Sequence, residues 1–397
     1  MRVVPCTVSA VTRPRLGDLS GAFGDLGTLL PLAAGLVIVS GVDAGGFFVT
    51  FGLATILAGF AFRLPMPVQP QKAVAAAAIA EAWPATQVYG AALGMGVVWL
   101  VVAATPLLSW LRGVIPAFIA RGIQLGLAFT LAGQAVLLLA RSAPLAILGV
   151  ALLAITLRYR LLGLGLTIVA ALALMPREAL ALPFAPAMPR IGLPDLADVA
   201  AGMLRGGIAQ MPLTLTNAII ATAALSARYF PHEPVSERRL AISTGLMNLG
   251  GAALSGGPFC HGAGGLAAQH LYGARTPWKN VIEGGLALGL GLFFAPGLSS
   301  ALAAFPMPLL GSLLLLVALE LLSSAHGLYG WQGWIATGMA VLAVATNIGV
   351  AFVGGFVLAS AVRWAVHRGW LPKLKGKTPA EYLARIPRTI FGPTPSA

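Results

Sequence analysis

The chain has 397 residues, of which 58% are hydrophobic and only 9% charged, with a mean hydropathy of +0.88 and a formal charge of +13. That balance excludes a soluble domain, in which about a quarter of the residues carry charge, and it reads as a polytopic integral membrane protein. The positive charge does not imply nucleic acid as a partner. The Lys and Arg residues sit at the termini and in short loops, as the positive-inside bias requires, and no basic patch with interleaved aromatics occurs. Two cysteines, Cys6 and Cys260, are too few for a disulfide framework or a thiolate metal centre.

Breaks rich in Pro, Gly and charge predict roughly fourteen membrane segments, some shorter than the about 20 residues of a full helical span. In the first half they fall at 19–40, 46–62, 66–82, 87–108, 114–139, 143–157 and 161–175. After a Pro-rich connection come 200–227, 240–256, 259–272, 279–297, 304–324, 331–346 and 348–366. Residues 1–18 read as a cytoplasmic N-terminus without a removable signal peptide, and 367–397 as a basic cytoplasmic tail too short for a regulatory domain. Between them lie a first repeat at 19–175, a linker at 176–198 and a second repeat at 199–366.

With both termini cytoplasmic, Arg112, Arg158, Arg160, Arg228, Arg238, Arg239, Arg275 and Lys279 occupy inside loops. Only Arg141, Arg177 and Arg190 remain outside, an asymmetry that supports an even number of spans. One ungapped shift lays Gly52 on Gly245, Leu53 on Leu246, Ile56 on Leu249 and Pro65 on Pro258. A second shift sets Gly21 on Gly202 and Pro31 on Pro212, relating segments one and eight. Seven spans per half is an odd number, so the two repeats are inserted in opposite orientations.

Two polar cassettes occupy equivalent places in the halves, MPVQPQK at 66–72 and PFCHGAGG at 258–265. Pro65, Pro67 and Pro70 forbid helix through the first, so helix starts near Gln71. The about 12 residues from there to Ala82 span roughly 18 Å, a little over half of a ~30 Å hydrocarbon core. The second cassette is extended to Gly262 and helical from about Ala263 to Leu271. Two half-helix N-termini then meet near the bilayer midplane, and such termini bind anions through unpaired N–H groups and the helix dipole. Gly262, Gly264 and Gly265 permit close approach of a ligand to the backbone, Lys72 supplies charge, and Gln69, Gln71 and His261 supply donors. Small residues also serve simply to pack membrane helices, which is the competing reading.

Asp25, in the first segment, is a candidate for a coupling proton or else a helix cap or a partner of Lys72. Gln210, Thr214 and Asn217 share a face of the eighth segment and either line the site or bond helices together. Arg121 and Glu320, on symmetry-related helices, are expected to form an ion pair, as a gate or as a structural link. Asp43, Glu81 and Glu283 fall near membrane edges, where solvation is the default. His261 beside Cys260 has no further His or Cys converging on it, so no metal is expected, and no cofactor.

The stretches GAFGDLGTLLPL at 21–32, PMPVQPQKAVAAAAIAE at 65–81, QMPLTLTNAI at 210–219, and GLMNLGG with CHGAGGLAAQHLYGAR within 245–275 closely resemble the molybdate transporter family, relatives of the sulfate permeases. The resemblance implies the all-α fold of the sulfate and uracil permease group, with fourteen spans in two inverted repeats of seven. It further implies a core domain of segments 1–4 and 8–11, a gate domain of segments 5–7 and 12–14, broken helices three and ten, and homodimers in many relatives. By position, the family pattern falls on Asp25, Gln69, Gln71, Lys72, Gln210, Asn217, His261, Gly262, Gly264 and Gly265. The expected function is secondary active uptake of a tetrahedral oxyanion, molybdate first and sulfate second, across the plasma or inner membrane. A nucleobase carrier of the same fold and an anion channel are the alternatives. No clustered aspartates for metal-bound diphosphates and no Gly-x-Ser-x-Gly nucleophile turn suggest an enzyme.

Overall fold

The computed structural model describes residues 14–325 and 328–368, so most of the basic tail and the segment containing Cys6 lie outside the described residues. The first segment is two helices, α1 (Leu16–Ala22) and α2 (Leu26–Ser40), broken at 23–25, and α3 (Ala44–Phe62) follows. The first cassette forms a short strand, β1 (Gln69–Pro70), before α4 (Lys72–Ala80). Next come α5 (Ala85–Ala104), α6 (Leu107–Val114), α7 (Ala117–Leu139), α8 (Ala143–Arg158) and α9 (Arg160–Leu174). A long helix with two π-helical stretches runs through α10 (Leu196–Gly202), α11 (Ile208–Leu213) and α12 (Thr222–Tyr229). The remainder is α13 (Glu237–Ala253), β2 (Phe259–Cys260), α14 (Ala263–Leu271), α15 (Trp278–Phe293), α16 (Ala295–Ala303), α17 (Met307–Ser324), α18 (Gly330–Ala345) and α19 (Ile348–His367).

The architecture is predominantly helical, with the β1–β2 pair as the exception to an all-helical reading. Among the described residues, seven helices are long and apolar enough to cross a membrane, or eight when α15 and α16, bent by 95°, count as one span. Leu57, Phe60, Leu137, Ile147, Val341 and Val357 are exposed on outer faces, where acyl chains instead of water meet them.

Helices from the two halves pack pairwise: α3 on α15, α5 on α13 and α7 on α17. Without a hydrophobic drive inside lipid, such pairs depend on close approach of backbones. The α3–α15 contact shows it plainly. A Cβ on Gly52 would lie 2.6 Å from the Gly284 carbonyl oxygen, and a Cβ on Gly284 would lie 2.6 Å from that of Gly52. The first-turn and interior residues Ala73 to Ile79 of α4 are all buried, so this short helix is enclosed by protein on every side.

Charges that loop counting placed in water are partly inside. Lys279 is fully buried and its Nζ stands 2.5 Å from the carboxylate of Glu283, one turn on. The expectation of a loop position for Lys279 and of a solvated Glu283 is therefore corrected. The reason is that α15 begins beneath α1 and α3 instead of in a loop. Asp18, which carried no sequence signal, is buried and accepts from the backbone N–H groups of Arg15, Arg275 and Thr276 and from the Thr276 hydroxyl. Asp43 caps α3 through Gly46 N–H at 2.6 Å, and Glu81 pairs with Arg205 at 2.8 Å and accepts from Trp83 Nε1.

Replacing Lys279 with Met leaves the Glu283 carboxylate buried without its cation, a change that costs about 3–5 kcal/mol where one partner of a buried pair is removed. Thermal unfolding in detergent should show a large loss for Lys279→Met and a substantial recovery when Glu283→Gln is added. A double variant as unstable as the single one would refute the pairing as the cause.

Candidate functional site

Three prolines keep 65–70 out of helix, and the extended backbone they impose needs partners because all six residues are buried. The other cassette supplies them. Strands β1 and β2 pair antiparallel, with Gln69 opposite Cys260 and Pro70 opposite Phe259, and Gln71 N–H donates to Pro258 O at 2.9 Å. The chain therefore leaves the pair in opposite directions, into α4 and into α14.

Side chains from neighbouring helices complete this crossing. Asn248 of α13 accepts from Phe259 N–H at 3.2 Å and donates to Phe259 O at 2.6 Å. Asn280 of α15 donates to Met66 O at 2.6 Å and Thr55 O at 2.9 Å. Gln71 donates to Asn248 Oδ1 at 3.1 Å and Phe259 O at 3.2 Å. His261 is fully buried, with Nδ1 2.8 Å from Pro67 O and Nε2 3.0 Å from Ser243 Oγ. A carbonyl only accepts, so Nδ1 carries the proton and Nε2 accepts from the serine hydroxyl.

Against the crossing, α7, α11 and α17 enclose a cavity of about 80 Å³. That is several times the ~10–15 Å³ that admits one water on this measure. Its polar wall consists of Gln69, Lys72, Gln124, Gln210, Asn217, Glu320 and Ser324, with Gly264 and Cys260 from the second cassette. Lys72 is the first helical residue of α4 and half-buried. Among the described residues no carboxylate stands within ion-pair distance of its ammonium. A Cβ on Gly264 would meet nothing within 4 Å, so the α14 N-terminus is bare on its cavity side.

Immediately behind the wall lies a second layer. Gln69 donates from Nε2 to the Asp25 carboxylate, which is buried at the start of α2. The Gln69 amide is wedged between Gly262 and Gly265, where any Cβ would run into it. Gln210 accepts from Ala73 N–H at 2.7 Å, taking one of the open donors at the α4 N-terminus, and donates to Thr214 Oγ1 at 3.0 Å. Thr28 Oγ1 donates to Glu320 at 3.2 Å from α2, and Arg160 of α9 stands 2.5 Å from the other Glu320 oxygen.

Of the residues expected from sequence, Gln69, Lys72, Gln210, Asn217, Gly264 and Glu320 therefore meet at the cavity. Asp25, Thr214, Gly262 and Gly265 stand behind it, and Gln71 and His261 brace the strand crossing instead of facing it. The partner of Glu320 is Arg160, correcting the expected pair with Arg121. Charge counting puts Arg160 in a loop, but a one-residue turn between α8 and α9 lays it against α2, where a Cβ on Gly27 would lie 2.8 Å from its Nη2. The ungapped superposition of the cassettes also shifts: Lys72 opens α4 as Ala263 opens α14, so Lys72 does not match Gly265. Sequence reasoning does not reach Arg160, Gln124, Asn248 or Asn280; Asn248 carries a usable signal as an amide in the apolar stretch GLMNLGG.

The family described as "Molybdate transporter of MFS superfamily" matches residues 17–131 and 202–321. Among characterised proteins, the chain is 33% identical to Molybdate transporter 2 of Arabidopsis thaliana over 78% of each chain. It is 30% identical to Molybdate transporter 1 of Chlamydomonas reinhardtii, over 87% of this chain and 91% of that one. Molybdate transporter 1 of Arabidopsis thaliana is 28% identical over 90% of each. Among solved structures, the transmembrane domain of the cyanobacterial bicarbonate transporter BicA aligns with a TM-score of 0.58 at 16% identity, over 85% of this chain and 97% of that one. SLC26A9 aligns with a TM-score of 0.61 at 12% identity, over 87% and 65%. These two share the fold. The family match and the sequence relatives carry the assignment: this chain belongs to the molybdate transporter family, a family of transporters and not of enzymes.

Proposed function

We propose that the protein takes up molybdate as a secondary transporter, holding the dianion in the cavity at the cassette crossing. The observation that carries this reading is Lys72, an ammonium with no carboxylate within ion-pair distance among the described residues, at a helix N-terminus and on the wall of a polar cavity. Burying such a charge without a counter-ion is expensive, and an incoming anion removes that cost. The amides of Gln69, Gln124, Gln210 and Asn217 and the bare start of α14 at Gly264 offer further donors to a tetrahedral oxyanion. Sulfate, with the same charge and shape, fits the same donors and is the nearest competitor.

The transport cycle in this proposal follows from two inverted repeats of seven spans, at 19–175 and 199–366, joined by the linker at 176–198. The antiparallel strand pair and the reciprocal packing of α3 on α15 and α5 on α13 support the inversion. Segments 1–4 and 8–11 would form the core that carries the cassettes, and the remainder the gate. With both termini cytoplasmic, in a plasma or inner membrane, the wall residues Glu320 and Ser324 lie toward the inner end of α17, and the cavity is reached from inside. The contact of Glu320 with Thr28 bridges gate to core, while Arg160 neutralises Glu320 so that it does not repel the cargo.

Lys72→Met should raise the molybdate Kd by about a hundredfold, or ~3 kcal/mol, with a native elution profile and melting temperature. Calorimetry on purified protein with molybdate, tungstate, sulfate and uracil reads it directly, and an unchanged Kd in a folded Lys72→Met variant would sink the site.

Gly264→Ala should fold normally, because its methyl group enters open space, yet reduce uptake by narrowing the cavity. Gly265→Ala should lose both stability and uptake, since its methyl group collides with the Gln69 amide. Equal melting temperatures for the two variants would contradict that division of roles.

Glu320→Gln should slow transport more than it weakens binding, because its bond to Thr28 belongs to one state of the cycle. Proteoliposome uptake rates set beside equilibrium Kd values separate the two effects, and a parallel loss in both would assign Glu320 to binding alone.

A further inference from the structure

Among the described residues, Gln69 is the cavity-wall amide that hydrogen-bonds a buried acid, Asp25. An amide has a donating end and an accepting end, whereas an ionised carboxylate can only accept. With Asp25 ionised, Gln69 must turn Nε2 to it, as it does here, and keeps its oxygen on the side of Gly262. In that orientation one N–H bond of this wall amide is taken by Asp25, and the carbonyl oxygen lies against Gly262.

We infer that Asp25 and Gln69 form a proton-operated amide switch that couples one proton to each oxyanion bound. A proton taken from solution forms an O–H bond on Asp25, which becomes a donor. Gln69 then rotates about its terminal torsion, accepts that O–H on Oε1, and turns both N–H bonds away from the acid and toward the cargo. On release the proton leaves Asp25 for water and the amide returns. No other bond is made or broken. The slot between Gly262 and Gly265 holds the amide plane, so the two orientations differ by a half-turn and little else.

The charged groups that face Asp25 are Lys72 on α4, Arg160 on α9 and Glu320 on α17; the Cys260 thiol on β2 and Glu283 on α15 lie within its field. Of these, Lys72, Glu320 and the Cys260 thiol border the cavity, so cargo, proton and the Glu320–Arg160 pair act on one electrostatic cluster. Linkage makes the effect reciprocal: if a proton tightens oxyanion binding by some factor, the oxyanion tightens proton binding by the same factor.

This inference rests on the cavity being the oxyanion site, and the experiment keeps the two apart. Molybdate Kd is measured on purified protein between about pH 5.5 and 7.5, on the acid side of which a buried carboxyl group can take up a proton. Obligate coupling to one proton weakens binding by up to about tenfold per pH unit. Asn in place of Asp25 can donate to Gln69 Oε1 at any pH. Asp25→Asn should therefore bind at pH 7.5 as tightly as the wild type does at pH 5.5, with a flat profile, and an inward proton gradient should no longer drive accumulation in proteoliposomes. Gln69→Met, which has no amide to turn, should bind more weakly with an equally flat profile, and it serves where Asp25→Asn fails to fold. A wild-type profile that is flat, or a pH dependence retained in the folded variants, overturns the switch. Lys72→Met distinguishes the levels: unaltered binding there removes the site itself, whereas loss of binding at every pH beside a flat wild-type profile removes only the switch.

Discussion

Everything at the centre of this molecule depends on satisfying extended backbone where no water reaches. A proline-broken segment cannot bond within itself, and an unpaired peptide group in hydrocarbon costs several kcal/mol. The chain meets that constraint by crossing two such segments as a two-residue antiparallel ladder and by surrounding the ladder with amides from α13 and α15. The solution fixes the site, because two helix N-termini are then set beside one another with donors to spare. A cavity assembled from loops could drift; this one is held by main-chain bonds between the two halves of the sequence.

The same constraint governs the charges. Lys279 with Glu283 and Arg160 with Glu320 each place opposite charges 2.5 Å apart, and Asp18 collects four donors, so these groups are compensated within the protein. Lys72 differs from them: it lines the cavity with no carboxylate within ion-pair distance among the described residues, and in the proposed function the cargo supplies the counter-charge. Among the described residues, Asp25 has one side-chain hydrogen-bond partner, the amide of Gln69, which in the proposed switch reverses.

Much of this was legible in the sequence because Pro and Gly punctuate a membrane helix so strongly. The cassettes, the start of α4 beside Gln71 and the extent of α14 follow from the positions of Pro65, Pro67, Pro70 and Gly262. Gln69 and Gln71, two residues apart, would share a face of a continuing strand, but helix onset at Lys72 sends Gln71 to Asn248 and leaves Gln69 on the cavity. Sequence spacing cannot show which of two such amides turns inward. Arg160 was misplaced for a different reason: charge counting assumes that a basic residue between two hydrophobic stretches is in a loop, and a one-residue turn is not a loop. The glycines of GAGG separated only in three dimensions, where Gly264 faces space and Gly262 and Gly265 face the Gln69 amide.

The asymmetry between the cassettes has a physical use. Two facing helix N-termini, each opening on a lysine, would hold a dianion with two full charges in a site of low dielectric, where each charge acts far more strongly than in water. Such a site would fill readily and empty slowly, and transport requires that the ion leave as well as enter. Here α4 opens on Lys72 while α14 opens on Ala263 and Gly264, so one helix contributes a formal charge and the other only its backbone. The proposed cargo then meets one lysine, a ring of amides and a bare helix end, a field strong enough to strip water from an oxyanion and weak enough to return it.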